Sequence, residues 1–483
     1  MKDWVECSLG EIFKTVTGNT PSKSEKDNYG SEIPFVKPPQ IDNNYLRDSL
    51  EFLSPKGKAK ARILPINSVL VTCIGNLGRI GLNKKEVAFN QQINAIEPLN
   101  GIEPKFTFYQ AQSTNFRNQL ERLSTSTTVA LVNKSSFNSV KFKVAPTPIQ
   151  KAIVKKIEEL FSSLDSGIAD LKKAQEQLVI YKQAVLKKAF EGELTKDWRA
   201  QQIDLPSAAK LLDQIKEERG KWIESEIENG NSEAKRIKIK LKKLVFSSSD
   251  EKLPKSWRWT NFISACVFVI DCHNKTAPYK EEGIYLIRTT NIRNGKLNLI
   301  DKIKYVSEET YNFWSKRVYP KSGDIVFTRE APMGEAAIIP KNIKVCLGQR
   351  TMILRTSQDL LENKYLLYNI LSEVFQQKLR ENAIGTGVKH LRVGDVETLS
   401  FPLCCKQEQH QIVNEIESRL SVCDKVEESL KESLEKAKAL RQSILKKAFE
   451  GKLLSAEELA KCKADQDYEP ASVLLEKIKK EKK

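Results

Sequence analysis

The sequence predicts an α+β chain built as an internal duplication: a β-rich mixed globular domain followed by a long helix, then the same pair again. Three observations carry this. LKKAFEGEL at residues 186–194 returns as LKKAFEGKL at residues 445–453, with eight of nine positions identical. Short apolar runs bounded by Gly, Pro and Asn fill residues 1–145 and 253–404. A sevenfold spacing of apolar residues begins soon after each of those stretches. A period this long marks a duplicated domain-plus-helix rather than a solenoid.

The repeat extends well beyond the nine-residue phrase. At the same offset Gln150 meets Gln409, Ile153 meets Ile412, Val154 meets Val413, Ile157 meets Ile416 and Leu171 meets Leu430. Upstream, Phe142 matches Phe401, Thr127 and Val129 match Thr386 and Val388, and Tyr109 matches Tyr368. Further out the offset drifts, as loop insertions would make it. Ile33 to Lys37 resembles Ile284 to Arg288, and Trp4 with Leu9 parallels Trp257 with Phe262. Downstream, Leu211 to Lys216 parallels Leu474 to Lys479.

Taken in order, residues 1–145 form the first β-rich domain. SVLVTCIG (68–75) and KFKVAP (141–146) read as strands, with helix around 105–123. Residues 146–195 are the central helix. Ile157, Leu164, Leu171, Leu178 and Val185 recur at strict sevens, with Leu160, Ala174 and Tyr181 in the second seam and Gly167 as its weak point. A heptad this long predicts a coiled coil. Residues 196–252 are a helical, basic linker, in which 235–254 read as a solvated stretch with one short strand or as a phosphate-contacting strap. Residues 253–404 repeat the first domain, 405–454 repeat the helix, and 455–483 form a basic helical tail. The second helix keeps Ile416, Leu430 and Ile444 but places Cys423 and Ala437 in register. Both helices close in Ala-Phe-Glu-Gly, so Gly192 and Gly451 fall where a left-handed cap belongs.

A net charge of +17 and a pI near 9.2 point to a polyanionic partner. Nine cysteines without a CxxC pair, and the opening MKDWVECSLG, suit a reducing cytoplasm. No apolar run reaches the roughly 18 residues needed to span a bilayer, so no membrane is expected. No phosphate-binding Gly-x-x-x-x-Gly-Lys-[Ser/Thr] loop occurs. VKPPQI (36–41) lacks the context of an amino-methyltransferase motif, and no glycine-rich cofactor fingerprint follows a strand. The histidines are His273, His390 and His410; the groups Cys266, Cys272, His273 and Cys404, Cys405, His410 lack zinc spacing. The sequence predicts no catalytic residue, no bound cofactor and no metal.

Several features in this order resemble the specificity subunits of type I restriction–modification systems. They are the Trp-x4-Leu-Gly-Glu-Ile opening (Trp4 to Ile12), the LP-x-x-Trp-x-Trp start of the second copy (Leu253 to Trp259), Gly385-Thr-Gly-Val-Lys-His-Leu391 and the two LKKAFEG helix ends. The second opening departs from the pattern with Phe262-Ile-Ser-Ala265, and the first copy has STSTTVALV (124–132) in place of GTGVKHL. The resemblance implies two target recognition domains, each reading half of a split sequence in double-stranded DNA. It implies an antiparallel coiled coil with pseudo-two-fold symmetry that holds the domains apart and sets the unread spacer. Two modification subunits carrying S-adenosylmethionine would dock on it. Restriction subunits using ATP and Mg²⁺ would join them, leaving this chain non-catalytic. The alternative is a coiled-coil scaffold with two protein-binding domains and no DNA role.

Phosphate contacts position a DNA reader and base-edge contacts specify it; Arg and Lys favour guanine, Asn and Gln adenine. Polar residues in turn-rich stretches are the candidates. In the first copy these are Lys37, Gln40, Arg79, Gln91, Gln92, Thr127 and Thr128; in the second, Arg288, Thr290, Arg329, Gln349, Arg350, Lys389 and His390. Lys187, Lys188 and Phe190, with their repeats Lys446, Lys447 and Phe449, are the candidates for docking a partner.

Overall fold

The structure is a computed structural model that describes residues 3–125, 129–243 and 252–481. The chain divides into two units, residues 1–173 with 430–483, and residues 174–429.

In the first unit a five-stranded sheet runs in the order Thr15–Thr17, Ile93–Ile96, Val69–Thr72, Ile80–Leu82, Asn44–Tyr45. Val69–Thr72 is buried at every position, which is why it reads as a continuous apolar run rather than an alternating one. A four-stranded sheet orders Phe52–Leu53, Tyr29–Val36, Val87–Phe89 and Ile63–Leu64. Val5–Ser8 pairs antiparallel with Lys141–Val144. The helix expected around 105–123 is two helices, Pro104–Ala111 and Thr114–Arg122, broken where Ser113 caps the second through the Phe116 amide at 3.3 Å.

The second unit repeats this plan. Phe268–Asp271, Thr351–Arg355, Ile325–Thr328 and Ala336–Ile338 form a four-stranded sheet in that order, and Arg258–Asn261 pairs with Ser400–Leu403. A buried glutamine ties each domain to its helix in the same way. In the first unit Gln150 accepts from the Glu103 amide at 2.8 Å and donates to the Ala145 carbonyl at 2.7 Å. In the second, Gln409 accepts from the Glu362 amide at 2.8 Å and donates to the Cys404 carbonyl at 2.9 Å. Both are fully buried. A packed polar group must find partners, and these side chains satisfy backbone atoms that would otherwise be orphaned.

Two long helices, Thr147–Phe190 and Lys406–Phe449, contribute to both units. In the first unit Arg441 bonds Asp165 at 3.2 Å, while Phe449 and Ile149 share one core cluster. In the second unit Lys182 bonds Asp424 at 2.9 Å and Glu427 at 2.8 Å, while Phe190 and Ile412 share another. Within each unit the helical segments therefore run antiparallel.

The seam at Ile157, Leu164, Leu171, Leu178 and Val185 faces inward. Of the expected second seam Leu160 and Ala174 are half-buried and Tyr181 is 46% exposed; the other flank, with Val154, Phe161, Ile168 and Ala189, is also buried or half-buried, and Lys182 is half-buried beside Tyr181. Gly167 offers nothing to bury, and the larger Phe161 and Ile168 widen the inward face around it. Both helices end as expected: Gly192 has φ 78° and Gly451 φ 68°, and the following amides reach back to Lys188 and Lys447 at 3.0 and 2.8 Å.

The strand expected within 235–254 is absent from its described part. Ser232–Lys243 is a helix that pairs with Ala208–Glu228, burying Ala234 and Ile237. The apolar spacing of Ala234, Ile237 and Leu241 suits one helical face, and this won over the local alternation. Residues 244–251 lie outside the described residues.

Candidate nucleic-acid interface

In each unit the same set of turns meets at one edge of the sheets. Lys37 begins a tight 3₁₀ turn in which Gln40 accepts from the Lys37 amide at 3.0 Å; Arg288 begins its copy, with Asn291 accepting at 3.1 Å. A hairpin follows, tightened by a buried threonine. Thr72 donates to the Asn76 carbonyl at 2.5 Å and accepts from the Arg79 amide at 3.0 Å. Thr328 donates to the Pro332 carbonyl at 2.6 Å and accepts from the Glu335 amide at 2.9 Å. The third turn is sewn to this hairpin: the Cys73 amide donates to Gln92 and the Arg329 amide to Arg350, each at 2.9 Å. The fourth joins by isolated bridges, Ile74 with Leu131 and Glu330 with His390. The candidate residues come from these four turns, which the fold brings together among the described residues.

The individual placements differ. Lys37 is half-buried and ion-paired with Glu51, and the carboxamide oxygen of Gln40 is used in its own turn. Arg79 is exposed and without an ion pair among the described residues, but it occupies the position of Glu335 rather than that of Arg329, which matches Cys73. Burial pushes the Cys73 thiol up to about 12, so the first unit buries a neutral thiol where the second presents a cation. Gln91 is exposed and accepts from Thr20 at 2.5 Å; Gln92 accepts from Asn90 at 3.0 Å. Thr127 and Thr128 lie outside the described residues.

In the second unit Arg288 donates to the Lys302 carbonyl at 2.5 Å and lies 5.8 Å from the Tyr279 ring. Arg329 donates to the Leu391 carbonyl at 3.1 Å, Arg350 lies 3.3 Å from Glu330, and His390 is bridged through its backbone to Ile384. Thr290, Arg350 and Lys389 are exposed; Gln349 is half-buried. One segment was missed in both copies, the loop after the first sheet strand. There Thr20 touches Gln91, and Cys272, just before His273, donates to the Gly348 carbonyl at 2.6 Å. Nothing in its composition distinguishes it; only the strand pairing brings it to the edge.

The docking candidates meet a different fate. Phe190 and Phe449 are buried, packing edge-on against Tyr365 and Phe106 at 5.3 and 5.2 Å. Each ring seats a domain on a helix within its own unit and is no free surface. Lys187, Lys188, Lys446 and Lys447 are exposed. Beside each ring lies a groove, about 790 Å³ in the first unit and about 580 Å³ in the second. They are one groove twice: Ser113, Phe116, Lys446, Phe449 and Glu450 line the first, and their repeats Ser372, Phe375, Lys187, Phe190 and Glu191 the second. Lys188 and Lys447 do not line either one.

Residues 1–175 and 268–436 match the family described as the type I restriction modification DNA specificity domain. The chain belongs to that family. It is a DNA-specificity subunit, and its two β-rich domains are target recognition domains; a protein-binding scaffold without a DNA role is not favoured. It is similar to the EcoBI specificity subunit of Escherichia coli, 22% identical over 484 residues that cover 99% of this chain and 92% of that protein. The MjaVIII specificity subunit of Methanocaldococcus jannaschii is 22% identical over 92% of both chains. The fold resembles a solved chain from a study of type I restriction–modification complex assembly (TM-score 0.65, 18% identity, 93% of this chain and 98% of that one). It also resembles the HsdS subunit of Thermoanaerobacter tengcongensis (TM-score 0.51, 18% identity, 93% and 97%). Among the described residues no three His, Cys, Asp or Glu side chains are grouped to hold a metal, and no helix is long and apolar enough to cross a membrane.

Proposed function

We propose that each target recognition domain reads one half of a bipartite sequence in duplex DNA, through the edge where its four turns meet. The recurrence of the same four-turn edge in both units carries this reading. The long helices set the number of unread base pairs between the halves. The chain performs no catalysis: S-adenosylmethionine, ATP and Mg²⁺ belong to modification and restriction subunits in a cytoplasmic complex. Two copies of one modification subunit dock, one in each of the paired grooves, against Lys187 and Lys446. A duplicated groove suits a partner present twice.

Mapping methylated adenines in cells that carry the whole system tests the reading. Replacing residues 1–145 by the equivalent domain of a relative is expected to change one half of the methylated sequence only. A change in both halves, or in neither, overturns it. For docking, Lys187→Glu with Lys446→Glu is expected to leave the fold intact and to abolish co-purification of the modification subunit; retained assembly sinks the idea. The phenylalanines cannot serve for this test, because their rings are part of the core.

A further inference from the structure

The two reading edges are built alike but differ at one position that the backbone marks out. Arg350 closes the turn between Val345–Leu347 and Thr351–Arg355 with φ 72°. Left-handed backbone is uncommon for a long side chain; among the described residues four of the other six non-glycine residues that adopt it are asparagines, which tolerate it best. Such strain persists only where surrounding bonds impose it, and it gathers at ligand sites. Here the Arg350 carbonyl is fixed by the Arg329 amide at 2.9 Å. Glu330 in turn is bridged through its backbone to His390 and holds the Arg350 Nε at 3.3 Å. The Arg350 side chain is half-exposed, 46%, and its turn is tied to the hairpin at Arg329 and, through Glu330, to His390.

A guanidinium carries donors in a rigid fork. When a carboxylate takes the Nε side, the two terminal nitrogens are left facing outward as a pair. That pair matches the O6 and N7 acceptors that guanine alone presents in the major groove. The first unit has Gln92 at this position, its backbone carbonyl held by the Cys73 amide in the same way. Its side chain accepts from Asn90 at 3.0 Å and bears no charge.

The geometry points to Arg350, oriented by Glu330, as the residue that reads a guanine in the half-site of the second unit. The inference rests on the reading of that edge as the DNA-facing one, and it adds the base and the residue. Arg350 is the reader; Glu330 is a positioning residue.

The test uses the complete system in cells, with methylated adenines mapped for the wild type and for Arg350→Ala, Arg350→Gln, Glu330→Gln and Lys341→Ala. Lys341 is exposed, in the connection at the other end of these strands, and serves as the control. The half belonging to the second unit is identified by the exchange of residues 1–145. The wild-type sequence is expected to hold an invariant G·C pair in that half. Arg350→Ala is expected to make that one pair degenerate, with discrimination falling roughly 5- to 150-fold and all other positions unchanged. Glu330→Gln is expected to relax the same position by less, and Lys341→Ala to change nothing. An unchanged melting temperature for Arg350→Ala separates lost reading from lost fold. The inference is overturned if that half keeps full stringency without Arg350, or contains no G·C pair. It is also overturned if all sites weaken uniformly, as loss of a phosphate contact would make them. If the wild type yields no bipartite sequence at all, the DNA-reading edge itself is wrong, and that failure is distinct from the others.

Discussion

Gln150 and Gln409 were visible in the sequence only as a matched pair; their role is a property of the fold. Each spends its carboxamide on a buried backbone amide and carbonyl. Gln150→Ala is expected to cost about 1–3 kcal/mol, because the Glu103 amide is left buried and unpaired. Gln409→Ala is expected to cost the same in the other unit, and thermal unfolding of the two variants checks both. The cysteines offer a second reading at this scale. All nine are free and eight are buried; burial pushes Cys7 up to about 11 and Cys73, Cys266 and Cys346 up to about 12. A thiol reagent at pH 8 is expected to leave these four unreacted until denaturant is added, because both the thiolate and access are lacking. Glu11 shifts the other way. The Ser8 hydroxyl and amide, and then Lys479, hold its carboxyl down at about 2. A folded value below the unfolded one, near 4.3, adds stability that is fully present above the unfolded value and lost as pH falls through about 2. Glu11→Gln is expected to lower stability above that window and to flatten acid unfolding within it, which unfolding curves at pH 2 to 7 check.

At the scale of elements, much was legible and the failures have physical causes. The LKKAFEG ends were readable because a C-cap needs a glycine at one fixed place. The four turns that the fold brings together were visible because polar residues there interrupt strands that are otherwise largely apolar. That the inward face would also take in Phe161 and Ile168, and leave Tyr181 out, was not legible, since two spacings fit Leu164 equally and only the partner helix decides. The phenylalanines were misread because a residue at a helix end can face a partner helix, another domain or solvent with the same spacing. One divergence between the repeats adds a prediction. In the second unit the fully buried Glu408 accepts from Thr195, Arg199 and Trp257, each at 2.8 Å. The first unit has Ile149 and Leu454 beside Trp4 in this place, an apolar answer to the same packing problem. Glu408→Ala alone strands the Arg199 charge and is expected to cost about 3–5 kcal/mol. Glu408→Ile with Thr195→Leu and Arg199→Leu is expected to recover most of that loss, which calorimetric unfolding of both variants measures. A triple variant no more stable than the single one would refute the equivalence.

At the scale of the whole molecule, the duplication extends to how each unit is closed. Ala208–Glu228 packs on the second domain, with the Ala208 amide bonded to Ser256 at 2.9 Å. Ala471–Glu481 does the same for the first, with the Ala471 amide bonded to Asp3 at 3.1 Å. Residues 3 and 471 therefore meet in one unit. Joining residue 481 to residue 3 through a flexible linker of about ten residues, and opening the chain at the fully exposed Ile203, is expected to give a folded protein. Its methylated half-sites are expected to be unchanged in sequence, and adenine mapping decides it. A permutant that fails to fold would show that the order of segments matters beyond their packing.

That closure also sets an order of events on the ribosome. The second unit is one continuous stretch, residues 174–429, whereas the first must wait for residues 430–483. Until Phe449 and the helix Ala471–Glu481 emerge, Phe106 and Leu9 lack part of the core that covers them. In chain order the first unit is thus completed after the second, and until then part of its apolar core is uncovered. A stop codon between residues 430 and 449 removes Phe449 and the helix Ala471–Glu481 from the first unit and leaves residues 174–429 whole.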